Sequence, residues 1–210
     1  MNELFLFGLL LLNLGISSWN AYASGAYLTE SKIIGGWTRF VVWCGLVMSA
    51  SGFTWVYMTV LTMIAVAGQW LTMEWGDVMF KLGYLIIILP IIGSGFGIWA
   101  HSLAEAYRER NFGNIAIAGW NTFAQAHNTW QAASHAPSFL KDVMEAFSGK
   151  NRKSSKDGAM AMLVILLVIL AVAGGAITTG LIARWADRRV ALDVTGEAPM
   201  HGRRRTPVRA

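Results

Sequence analysis

Charge is scarce in this sequence, and where it is missing follows a pattern. Only 14% of the 210 residues are Asp, Glu, Lys or Arg, against roughly 25% in a soluble domain. Residues 4–29, 40–73, 82–103 and 158–183 contain none of the four. Cysteine is rarer still. Cys44 stands alone, which excludes an intrachain disulfide and a thiolate metal cluster, and inside its apolar run it reads as a small packing residue. The motifs of common chemistries are missing as well. There is no HExxH, no CxxC and no glycine-rich phosphate loop of the GxxxxGKS or GxxxxGKT kind. The histidines are His101, His127, His135 and His201. His127 and His135 are eight positions apart, about 80° from each other around a helix, and so do not form the i,i+4 pair of a helical metal motif. No catalytic residue, metal or cofactor is therefore expected. The charge-free runs also lack the buried ionisable groups of a proton relay, with only His101 and Arg39 at their margins.

What is present is apolar surface, at 55% of residues. A spanning helix needs about 20 mostly apolar residues, and the four charge-free runs supply them. The expected fold is all-α, an integral membrane helical bundle with about four transmembrane helices over 4–23, 40–67, 82–100 and 158–183. These form one membrane domain, 1–183, that includes a polar helical insertion, 101–157, and is followed by a basic flexible tail, 184–210. Ala21-Tyr22-Ala23 resembles a signal-peptide cleavage site, but Met1-Asn2-Glu3 lacks the basic leader of such a peptide. An uncleaved first span is the expectation.

Several small residues mark packing or bending. Gly45 and Ser49 form a small-xxx-small pair, read as contact between helices of the same chain. Gly35-Gly36 is a breaker before the second span, and Gly68-Gln69 is a place for that span to end. Pro90 sits within the third span, followed by Gly93 and Gly97, which suit a kink, a hinge or a contact face. Gly175, Ala176 and Gly180 suggest a narrow packing face on the last span.

The segment from Asn111 to Leu140 is unlike the rest. It has no charge, yet twelve of its thirty residues are Asn, Gln, His, Ser or Thr. Asn114, Asn121, Asn128 and His135 recur every seven residues, and Trp120, Phe123, His127 and Trp130 follow a 3-4-3 spacing. Seven residues make nearly two turns, so each row keeps to one side of a helix. These eight are the candidate assembly or pore-lining residues. Ala136-Pro137 is expected to end this helix, with a shorter amphipathic helix over 138–149.

Basic charge then poses a conflict. The 101–157 segment and the tail after the last span each carry seven Lys or Arg. With four spans they lie on opposite faces, which the positive-inside rule does not allow. Either long polar segments escape the rule, with the amide helix on the membrane surface, or the amide helix also crosses. In the second case the faces carry eleven and six basic residues. Twelve polar side chains make insertion costly, and four spans are the reading adopted. A surface helix, however, normally carries Lys or Arg, and this one carries none.

The expected function is non-enzymatic: a small multi-pass integral membrane subunit that self-associates, as a pore or as a scaffold of a larger complex. Two alternatives stand beside it. One is a membrane-embedded enzyme or lipid-handling protein using His101, His127 or His135. The other is a monomeric adaptor recruiting a partner through 101–157. Expected partners are the bilayer, further subunits, and anionic headgroups at Arg184, Arg188, Arg189, Arg203, Arg204 and Arg205. No specific nucleic acid is expected. With no basic transit peptide at the start, a bacterial inner membrane is the expected location.

Overall fold

The computed structural model describes residues 2–148 and 155–195. Arg203, Arg204, Arg205 and most of the 148–157 linker lie outside the described residues. Six helices account for nearly all of what is described: α1 (Asn2–Ala26), α2 (Leu28–Ile34), α3 (Gly36–Ala67), α4 (Met73–Arg108), α5 (Phe112–Phe147) and α6 (Ser155–Thr195). Three of them contain stretches long and apolar enough to cross a membrane: Gly36–Ala67, Met73–Arg108 and Lys156–Val190. The fourth expected span, 4–23, falls within α1. Its crossing is not established by that criterion and belongs to the proposal below.

The chain reverses direction where local chemistry demands it. Gly35 and Gly36 both adopt positive φ, at 67° and 54°, a conformation open to glycine at no steric cost. This corner separates the short α2 from α3, so the segment between the first and second expected spans is itself partly helical. Gly68 caps α3, and its N–H bonds to the Ile64 carbonyl. Thr72 then caps α4 by accepting a hydrogen bond from the Trp75 N–H at 3.3 Å.

α3 lies at the centre, between α1, α4 and α6. At mid-height the Ser49 hydroxyl donates to the Ser17 carbonyl at 2.8 Å and lies 3.0 Å from the Thr179 hydroxyl, joining α1, α3 and α6. Gly45 sits against Ser24, so the Gly45/Ser49 pair packs within the chain. Toward one end, Met58, Ala65, Trp75, Met79, Val164 and Val168 belong to the apolar core between α3, α4 and α6. At the other end, Thr29 holds Asp187 through its N–H (3.0 Å) and its hydroxyl (2.9 Å).

The narrow face of α6 differs from the expected one. Gly175 packs against Ala50 and Thr54 of α3, but Ala176 is exposed and a side chain at Gly180 would meet open space. The buried row instead continues by fours through Ala171, Gly175, Thr179 and Ala183, because residues four apart lie nearly one above another on a helix. α4 is likewise one continuous helix through Pro90, where the Ser94 hydroxyl bonds back to the Pro90 carbonyl at 2.6 Å. Gly93 faces open space, whereas Gly97 accommodates Cys44 and Phe40 of α3, so the two do not share a contact.

Candidate functional site

α5 is the outermost helix of the bundle and packs chiefly on α4. The expected break at Ala136-Pro137 does not occur, and the helix runs unbroken to Phe147. Proline removes one backbone hydrogen bond, but contacts with α4 hold the segment that follows Pro137. Phe139 meets Tyr84 edge-on at 5.2 Å and Phe147 meets Trp75 at 5.8 Å. Between these pairs the Lys81 ammonium donates to Asp142 at 2.7 Å while also pairing with Asp77 at 2.6 Å. The 138–149 segment is thus the last part of α5 and not a separate helix.

At the opposite end of α5 the Asn111 side chain caps the helix, accepting from the Asn114 N–H at 2.8 Å, and the Asn114 amide reaches the Glu109 carbonyl at 3.3 Å. Between the two ends, Trp99 Nε1 donates to the Thr122 hydroxyl at 2.9 Å and Gln125 Nε2 donates to the Ile92 carbonyl at 3.2 Å. Taken together these contacts form a register. As the α4 partner falls from Glu109 to Trp75, the α5 partner rises in step from Asn114 to Phe147. The two helices are antiparallel neighbours over their whole lengths.

The rows picked out by spacing separate in space. Gln125 is 6% exposed and marks the centre of the face turned to α4, with Ala118 and Val143 buried on the same face. Asn114, Asn121 and Asn128 lie close to that centre, half-buried along the α4 seam, while His135 is exposed and stacks on Phe139 at 5.7 Å. The aromatic row is turned from that centre, although Trp130 also lines the groove beside Phe96 and Trp99 of α4. Trp120, Phe123 and Trp130 are each 62% exposed, and with His127 they form a chain of ring contacts 6.1–6.4 Å apart. Spacing alone missed Gln125. Its signal was present in the sequence, since Gln125 follows Asn121 by four and precedes Asn128 by three, and Gly95 opposite it leaves room for its amide.

Among the described residues, two cavities adjoin α5. One is an apolar groove of about 430 Å³ between α4 and α5, lined by Phe96, Trp99, Thr122, Thr129, Trp130 and Ala133 among others. The other, about 270 Å³, lies at the Phe147 end and includes Glu74, Asp142, Glu145 and Asp157. Neither brings a histidine together with a carboxylate. Among the described residues, no group of three or more His, Cys, Asp or Glu is placed to hold a metal ion. Arg184, Arg188 and Arg189 lie on α6 at the end that holds the α4–α5 turn, and the Arg189 guanidinium sits 4.7 Å over the Trp185 ring. The chain matches no known protein family, no curated protein and no solved structure.

Proposed function

We propose that this chain is a small multi-pass integral membrane subunit that self-associates through the outer face of α5 and serves as a membrane scaffold. The observation that carries the reading is the exposed row Trp120, Phe123, His127 and Trp130 on a helix that, among the described residues, the other helices touch on one side only. The partner for this face is a second copy of the chain. Around the aromatic row, His127, Gln131 and Ser134 each offer both a donor and an acceptor. A face of that kind complements itself across a two-fold axis, which a face of one charge sign does not. Span α1 is proposed as a fourth crossing, because it follows α3 over the bundle's height through Asn13, Ser17 and Ser24.

The position of the amides favours a scaffold over a pore. Asn114, Asn121 and Asn128 flank the α4 seam, and the side presented outward is aromatic. The test compares two double variants by crosslinking in membranes and by mass in detergent. Trp120→Ala/Trp130→Ala is expected to shift the chain toward monomer, and Asn121→Leu/Asn128→Leu to leave the assembly intact. Loss of assembly in the amide variant alone would replace the scaffold by an amide-lined pore. A monomeric wild-type chain would overturn self-association.

A further inference from the structure

We propose that α5 is itself a membrane crossing, invisible to hydropathy, and that the end of the bundle bearing the α4–α5 turn faces the cytoplasm. This goes beyond the assembly reading and does not depend on it. The first support is the register. Lys81–Asp142 toward one end and Trp99–Thr122 toward the other leave no room for α5 to lie flat while α4 stands upright. Whatever depth Tyr84 and Trp99 reach, Phe139 and Thr122 reach with them.

The second support is a length. The uncharged stretch of α5 is bounded by Arg110, just before the helix, and Lys141 within it, and the thirty residues between them carry no charge. At 1.5 Å per residue that is about 45 Å, the thickness of a bilayer with its headgroup regions, about 40–45 Å. A helix lying on the surface has no reason to keep its charges at that spacing, and it would normally carry Lys or Arg on its polar face.

The third support halves the objection from polarity. Twelve polar residues looked too costly to bury, but Asn111, Asn114, Thr122, Gln125, Thr129 and Ser138 are already engaged. Thr122, Thr129 and Ser138 bond to carbonyls of their own helix. Asn111, Asn114 and Gln125 bond at the α4 seam or the helix start. Polar groups satisfied in this way are tolerated at membrane depth. The groups left over then require a membrane helix as partner rather than a soluble protein.

Charge supplies the orientation. Lys32, Arg39, Arg108, Arg110, Arg184 and Arg188 lie at the end with the α4–α5 turn, whereas Lys81, Lys141 and Lys156 lie at the other. The positive-inside rule assigns the first end to the cytoplasm. With α5 crossing, the conflict between the two basic segments disappears.

The test uses the full chain with Cys44→Ala and single cysteines at two exposed positions, Arg110→Cys and Ser148→Cys, labelled in intact cells by a membrane-impermeant thiol reagent. The expected result is a labelled Ser148→Cys and an Arg110→Cys that reacts only after lysis. Equal behaviour of the two overturns the crossing. The reversed pattern overturns the orientation. The pair Glu109→Cys and Glu145→Cys, also exposed, repeats the measurement if either variant is poorly made. Self-association is read separately by crosslinking, so failure of one proposal is not failure of the other.

Discussion

Tyr84 buries its hydroxyl without a hydrogen-bond partner among the described residues, while its ring packs edge-on against Trp55 and Phe139. A buried unpaired hydroxyl costs about 1–3 kcal/mol, so Tyr84→Phe should raise the thermal midpoint in detergent or leave it unchanged, and a clear drop would show that the hydroxyl has a partner. Gly175 and Gly180 make a contrasting pair. A methyl group at Gly175 would run into Ala50 and Thr54, and one at Gly180 would meet nothing. Overpacking of this kind costs about 1–3 kcal/mol. Gly175→Ala should therefore lower the midpoint while Gly180→Ala leaves it in place, and equal effects would refute the packing assignment. The Ser49 node is smaller in scale. Interhelical hydrogen bonds in membranes average about 0.6 kcal/mol and reach about 1.7, so Ser49→Ala should weaken the α1–α3–α6 contact without unfolding the chain.

Among the elements, the α4–α5 pair has its attachments at separate heights, and each can be removed alone. Gln125→Leu deletes the bond to the Ile92 carbonyl and should loosen the middle of α5. Lys81→Met deletes the clamp on Asp142 and should loosen the Phe147 end, by at most about 1 kcal/mol for a partly exposed pair. Hydrogen exchange along α5 checks both: faster exchange confined to the affected third supports the register, and uniform acceleration contradicts it. The element scale also separates what was legible in the sequence from what was not. The apolar helices were legible because absence of charge over twenty or more residues has few other meanings. The Gly35-Gly36 corner was legible from glycine's conformational freedom, whereas at Gly68-Gln69 it is Gln69 and not the glycine that takes a positive φ, at 60°. Continuity through Pro137 was not, because it rests on contacts with Tyr84 and Trp75 far away in sequence. The two rows on α5 were legible as rows, but which one faces α4 depends on Gly95 making room for Gln125.

For the whole molecule, the sequence held two basic segments that four crossings could not reconcile, and counting polar residues argued against a fifth. That count treats every Asn, Thr and Ser as free. Thr122, Thr129 and Ser138 bond to their own helix and Gln125 to its neighbour, and none of this is visible in a list of residue types. The same reasoning bears on α1, whose uncharged stretch from Leu4 follows α3 through Ser17 and Gly52. Replacing Gly52 by Leu should displace α1 and raise the protease sensitivity of the N-terminal segment, whereas Gly8→Leu, which faces open space, should not.

The turn between α4 and α5 is only a few residues long, from Glu109 to Asn111. During synthesis this sets an order of events. α4 emerges first and is oily enough to leave the translocation channel unaided, whereas α5 is not, since its amide at position 125 has no acceptor until Ile92 is already in place. On the proposed crossing of α5, the two would leave the channel as a hairpin, with the earlier helix serving as the solvent for the later one. A chain stalled between them would strand no polar helix in the lipid. A chain whose α4 has been replaced by a featureless run of leucines should release α5 to the aqueous side, and with it change the face on which everything after Ser148 is made.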